Sequence, residues 1–287
     1  GVCVKMREHL SCISAPSCAR VRRYGEYLKL SSQPIAAKNM SEELYFKIYL
    51  KLADGTYVYT NLLHYSAKTY AANMLADEDA SDGIKALCVA LMNYGAAAQT
   101  FFGYKTGELM NAGLTADQQA LVKAYSADMI APTVAPESAK VSGLAYTGGY
   151  SSVYPSVNFG GAFGINYIFT PTNTVEGEMK LYVWTAADYE AAEALTLDNA
   201  SQVLTMTDTG SGVYTARYTG IAAKNVGDTV YACGVYESNG VTYRTGVLYY
   251  SVGEYCKNMA KRTDSVEALA KATGVYTYYA KEYFLGQ

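Results

Sequence analysis

The sequence predicts an α+β protein: an antiparallel β-sandwich followed by a helical pair, the whole preceded by a truncated copy made of a hairpin plus helices. Three observations carry this: one segment occurs twice, short alternating runs fill the middle of the chain, and apolar residues at helical spacing close each copy. Ile35-Ala36-Ala37-Lys38-Asn39-Met40 returns 186 residues later as Ile221-Ala222-Ala223-Lys224-Asn225-Val226. Each is followed by an alternating run, an Asp54-Gly55 or Asn239-Gly240 pair, and a second run. This is the pattern of a hairpin closed by a two-residue turn that needs positive φ. The second run ends at His64-Tyr65-Ser66 or Tyr249-Tyr250-Ser251, where Ser66 and Ser251 are placed to cap a helix. Tyr70-Ala71-Ala72-Asn73-Met74 then matches Tyr255-Cys256-Lys257-Asn258-Met259 at an offset of 185.

The next helix repeats at an offset of 182, with Asp82, Leu87, Tyr94, Ala98 and Phe102 answered by Asp264, Leu269, Tyr276, Ala280 and Phe284. Ile84, Leu87, Cys88, Leu91, Gly95, Ala98 and Phe102 fall on one stripe at i, i+3, i+4, i+7 spacing. Gly95 to Ala98 is narrow enough for a second helix to approach closely. Thr115 begins a third helical pattern running to Met129, which Ala131-Pro132-Thr133-Val134-Ala135-Pro136 breaks. Between Lys140 and Tyr218 lie short runs at Val157–Phe159, Ile165–Thr170, Met179–Thr185, Val203–Thr207 and Val213–Tyr218. With the hairpin they make the strands of a sandwich. The chain therefore divides into an unmatched segment 1–23, a truncated repeat 24–131 with a hairpin and three helices, a linker 132–139 and a complete repeat 140–287. Half a sandwich exposes strand edges, so pairing with a neighbouring chain is a possible partnership of the truncated copy. The alternative is a small sheet at 24–63 covered by the helices at 66–104.

Composition narrows the function classes. Lys and Arg number 23 against 26 Asp and Glu, and charged residues make up 17%. Nucleic acid is not an expected partner, because phosphate neutralisation needs a clustered basic surface. No run of about 18 apolar residues exists to span a membrane. The first 16 residues show no charged-then-apolar leader and no initiating Met, so the chain reads as part of something longer. Cys3, Cys12, Cys18, Cys88, Cys233 and Cys256 are too sparse for a disulfide scaffold, and the last three read as small buried hydrophobes.

Candidate chemistry is thin. His64 stands where the other copy has Tyr249, the place of an aromatic junction residue. His9 lies among Cys3, Cys12 and Cys18, zinc-compatible types that lack the Cys-x2-Cys knuckle. Asp77-Glu78-Asp79 begins like a calcium loop, but Asp82 and Cys88 occupy the positions that need Gly and Glu, so an acidic helix start fits better. No nucleophile elbow, phosphate loop, zincin motif or dinucleotide fingerprint is present. No metal and no cofactor are expected. An enzyme, if one, would be a glycoside hydrolase working with Asp and Glu alone. The chain holds 29 Tyr and 1 Trp. In Leu181-Tyr182-Val183-Trp184, alternation sends Tyr182 and Trp184 to one face. They form an exposed ligand-binding platform if Leu181 and Val183 face the core; in the competing reading Trp184 is itself a core residue.

Met92-Asn93-Tyr94-Gly95-Ala96-Ala97-Ala98-Gln99, then Phe102-Gly103-Tyr104 and Asn111-Ala112-Gly113-Leu114, resembles a module repeated in large secreted surface proteins of gut Firmicutes. The resemblance covers about residues 24–287 and implies a secreted or cell-surface location, with adhesion, binding of a glycan or host protein, or spacing of neighbouring modules as the role. It brings no catalytic residues. The second copy departs from it at Tyr276-Thr277-Tyr278-Tyr279-Ala280-Lys281.

Overall fold

The computed structural model describes residues 2–5, 18–24, 27–32 and 35–286, with side chains only from residue 35 onward and without those of residues 50 and 51. His9 and Cys12 lie outside the described residues. The protein is α+β with antiparallel sheets, as the sequence predicts. Near the N-terminus, β1 (Val2–Lys5), β3 (Tyr27–Ser32) and β2 (Cys18–Tyr24) form a sheet in that order.

A 3-10 turn at Ala37–Asn39 leads into β4 (Leu44–Phe46), β5 (Tyr49–Lys51), β6 (Tyr57–Tyr59) and β7 (Leu63–Tyr65). β4 pairs with β7 and β5 with β6, so the four pieces are one interrupted hairpin. Its turn differs from expectation. Leu52 N donates to Thr56 O at 2.8 Å and Gly55, at φ +88°, closes a three-residue loop. In the C-terminal part Asn239 (φ +51°) and Gly240 (φ +74°) alone join β14 (Val230–Ser238) to β15 (Val241–Arg244), a two-residue turn. That single-residue difference is where the sequence offset drops from 186 to 185.

The ladders on either side correspond pair by pair. Leu44↔Tyr65, Tyr45↔His64 and Phe46↔Leu63 are answered by Val230↔Tyr250, Tyr231↔Tyr249 and Ala232↔Leu248, all three between β14 and β16 (Leu248–Tyr250). Between the two pieces of hairpin, Thr60 N donates to Ile48 O at 2.9 Å while Ile48 N donates to Thr60 Oγ1 at 3.1 Å. Thr245 and Gly234 make the same two bonds at 3.0 and 2.9 Å.

Helix α1 (Ala67–Ala76) is capped by Ser66 and α2 (Asp82–Phe102) by Ser81. Asp82 sits in the first turn of α2, so the acidic run marks a helix start. The third expected helix is only α3 (Ala116–Gln119), followed by turns and a 3-10 turn at Ala127–Met129. Tertiary contacts override the periodicity there. Gln119 is tied to Asn93 by bonds of 3.0 and 3.3 Å, and Tyr125 lies so close to Gly274 that an added Cβ would stand 2.6 Å from its ring. Residues 132–139 do not hang free: Val134 N donates to Thr229 Oγ1 at 2.9 Å and Glu137 N to the Tyr189 hydroxyl at 2.8 Å. The short α4 (Ser138–Val141) follows.

The sandwich has one sheet in the order β12 (Thr207–Asp208), β13 (Tyr214–Ile221), β9 (Phe163–Pro171), β8 (Tyr150–Asn158). The other runs β11 (Gln202–Thr205), β10 (Glu176–Trp184), β14, β15, with β16 also on β14. The short α5 (Ala186–Ala191) follows β10. Ile165, Tyr167 and Phe169 from one sheet meet Met179, Leu181, Val183 and Ala232 from the other. α6 (Val252–Met259) and α7 (Ser265–Leu285) close the chain.

This core does not stop at the sandwich. The Tyr94 ring of α2 stacks on Tyr276 of α7 at 5.3 Å and also meets Phe163 of β9 at 5.4 Å. Gly95 does not serve a helix contact as its spacing predicts; it receives Met110, whose sulfur would be 2.3 Å from an added Cβ. Cys88, Cys233 and Cys256 are free and buried, and burial pushes their thiols up to about 11, 11 and 12.

Candidate functional site

β10 places the two residues singled out in the sequence on one side of its sheet, as alternation requires, but gives them different surroundings. Trp184 is fully buried (0% exposed), which corrects the expectation of an exposed Tyr182/Trp184 pair. The physical reason is that both faces of β10 are covered at this end. Leu181 and Val183 enter the sandwich core, while Trp184 packs in a second cluster with Leu144, Tyr189, Leu195, Tyr231 and Cys233. Residues 186–200 fold back over the outer face to make that cover. Trp184 Nε1 donates to Asn199 Oδ1 at 2.8 Å, satisfying the indole. Tyr189 and Tyr231 stack at 4.2 Å beside it, and Lys140 Nζ lies 4.6 Å from the Tyr189 ring centre.

Tyr182 stands where that cover ends and is half-buried. Beyond it the outer face opens into a groove of about 290 Å³ lined by Glu176, Glu178, Lys180, Tyr182, Val235 and Glu237, with Tyr236 beneath. Glu176, Glu178, Lys180 and Tyr182 alternate along β10, with a register shift between Glu176 and Lys180 and Gly177 at φ +72°. That irregularity is a bulge, which re-aims side chains at the end of a strand. Lys180 Nζ lies 3.8 Å from Glu178, and Glu176 accepts from Asn239 N at 2.9 Å. Tyr182 is opposite Val203 on β11 and Cys233 on β14. The groove thus offers one aromatic ring, three carboxylates and one ammonium within a shallow concavity. Such a set presents a flat apolar face and several hydrogen-bond partners.

The sequence identified Tyr182; Glu176 and Glu178 lie before the run at Met179–Thr185 that it marked as a strand, on the part of β10 that carries the register shift. Glu237 was not legible from it, since only the β10–β14 register brings it across. His64 is exposed, with Nδ1 3.2 Å from Glu43 Oε2, at the strand-to-helix junction. Tyr150 is buried and donates its hydroxyl to Gly234 O at 3.1 Å, whereas Tyr146 and Tyr154 are exposed. Among the described residues no group of three or more His, Cys, Asp or Glu is arranged to hold a metal. No helix of the described residues is long and apolar enough to cross a membrane. A second cleft of about 230 Å³ lies where Asp128–Ala131 meets Lys224, Asp228 and the Thr277–Glu282 stretch of α7.

No protein-family model matches the chain, and no curated protein matches it. Among solved structures, the chain is similar to the Br derivative of BhCBM56 at 15% identity and a TM-score of 0.25, over 36% of this chain and 99% of that one. A likeness of that score says nothing about the ligand of this protein.

Proposed function

We propose that the chain is a non-catalytic module of an exported bacterial surface protein, and that it binds a glycan or a host protein through the groove beside Tyr182. One observation carries the reading: a half-buried aromatic ring at the head of an open groove whose walls are Glu176, Glu178, Lys180 and Glu237. Aromatic faces anchor sugar rings and protein partners at low entropic cost, and the flanking charges supply orientation. The secreted, cell-surface setting rests on the resemblance of the Tyr94–Gln99 region to repeated surface modules. The same resemblance and the matching ladders favour a duplicated building block, abbreviated in 24–131 and whole in 140–287.

The test is a glycan and host-protein array probed with the wild-type chain and with Tyr182→Ala. Retained signal for at least one ligand, reduced tenfold or more in the variant, is the expected result. A ligand bound equally well by Tyr182→Ala would overturn the assignment of the groove. A structural spacer is the second reading, favoured by the core that Tyr94 shares between the two parts, and it predicts no ligand on either array. Turnover of a polysaccharide panel would instead point to the groove carboxylates acting as a glycoside hydrolase.

A further inference from the structure

We infer that the outer edge of β4 is a docking site for one antiparallel strand from another polypeptide, with an alternating sequence of the kind β10 carries. The inference concerns a surface separate from the Tyr182 groove and does not depend on it.

In the C-terminal part β14 is a central strand. β15 and β16 pair along one edge, and β10 pairs along the other, setting Trp184 against Tyr231, Val183 against Ala232 and Tyr182 against Cys233. Tyr45, Phe46 and Lys47 occupy those three places in the first hairpin, with the β7 ladder in the same register. On their other side no strand among the described residues pairs with them. Backbone direction follows from the threonine clamp. Ile48 spends both its N–H and its C=O on Thr60, so by strand alternation Lys47 turns its own pair to the open edge.

Side chains tell the same story. Tyr45 is 66% exposed where Tyr231 is 2%, and Leu44 is 36% exposed where Val230 is 5%. The helices therefore do not cover this hairpin in the way the sequence reading allowed. An open edge flanked by exposed apolar side chains is the template on which a strand is added. The chemistry of the occupant follows from one substitution. Lys47 stands where β14 has Cys233, so the arriving residue in the Tyr182 place is an acidic or aromatic one. Self-pairing of two copies is disfavoured, because an antiparallel dimer of so short an edge brings two Lys47 ammonium groups onto adjacent strands.

The test uses fluorescein-labelled peptides with the sequence of residues 176–185, titrated into the full chain and read by anisotropy. Saturable binding is expected, tighter when the peptide carries Glu in the Tyr182 place, and weakened tenfold or more by Lys47→Pro, which removes the outward N–H. Val134→Ala, an exposed position away from both this edge and the Tyr182 groove, leaves it unchanged. Should Lys47→Pro lose its fold by circular dichroism, Lys47→Glu serves instead: it reverses the preference between peptides carrying Glu and Lys at that place. Absence of saturable binding, indifference to both Lys47 variants, or a wild-type dimer that Lys47→Pro dissociates would each overturn the proposal.

Discussion

In the N-terminal hairpin β4 pairs Leu44 with Tyr65 and leaves Tyr45 in water, whereas β14 pairs Val230 with Tyr250 and Tyr231 is closed in under Tyr189. The hydrogen-bond ladder is the same in both places and the burial is opposite. Register is thus a local property, set by the turn and by the Thr60 or Thr245 clamp, while burial depends on what other elements lay over the strands. Sequence has adjusted accordingly. Position 48 is Ile, but its counterpart is Gly234, because Phe169 stands so near that an added Cβ would lie 2.3 Å from its ring.

The sharpest way to test this contrast is to truncate the two tyrosines. Tyr231→Ala should cost about 4 kcal/mol, the scale of emptying a buried aromatic site, while Tyr45→Ala should stay within about 0.5 kcal/mol. Denaturant midpoints of the two variants decide it, and equal shifts would show that both hairpins are equally covered in solution. Exchanging the small and large residues comes next. Gly234→Ile should cost about 3 kcal/mol by overpacking against Phe169, against roughly 1 kcal/mol for Ile48→Gly, which loses a half-exposed side chain and gains chain entropy. A cost as large in the first hairpin would contradict the partial exposure of Ile48.

The smallest expected effect is electrostatic. Glu42 accepts from the Lys105 ammonium at 2.9 Å, from the Tyr104 hydroxyl and from Asn39, and these bonds hold its carboxyl down at about 2. Among the described residues, the side chain of the corresponding Asp228 accepts from Asn225 alone, at 2.6 Å. A depressed folded-state pKa stabilises the fold above the unfolded value and loses that contribution as pH falls towards the folded one. The melting temperature of the wild type should therefore exceed that of Glu42→Gln above about pH 4.5 and converge with it towards pH 2. The stability difference behind it should be under about 1 kcal/mol, since the pair is solvent-screened. A gap that widens on acidification would refute the assignment.

Much of the fold was legible because it is written in local signals. The Ile-Ala-Ala-Lys-Asn segments, the Gly-bearing turns and the Ser66 and Ser251 caps all specify structure within a few residues. What escaped was set at a distance. The 120–126 stretch has helical spacing, yet Gln119 and Tyr125 answer to Asn93 and Gly274 instead. Trp184 obeys alternation, yet the fold-back of 186–200 decides that it is covered, and nothing in the Leu181–Trp184 run announces that cover. The start of the long β8 at Tyr150 was hidden by Gly- and Ser-rich surroundings that read as loop, and α5 is too short, at six residues, to show a helical period.

Tyr94 has one more implication. Its ring belongs to two neighbours at once, Phe163 and Tyr276, both from the far side of residues 132–139, so the sequence border there is not a border of cooperativity. A protease nick within that stretch leaves two fragments still clasped together, and heat must release both in a single step.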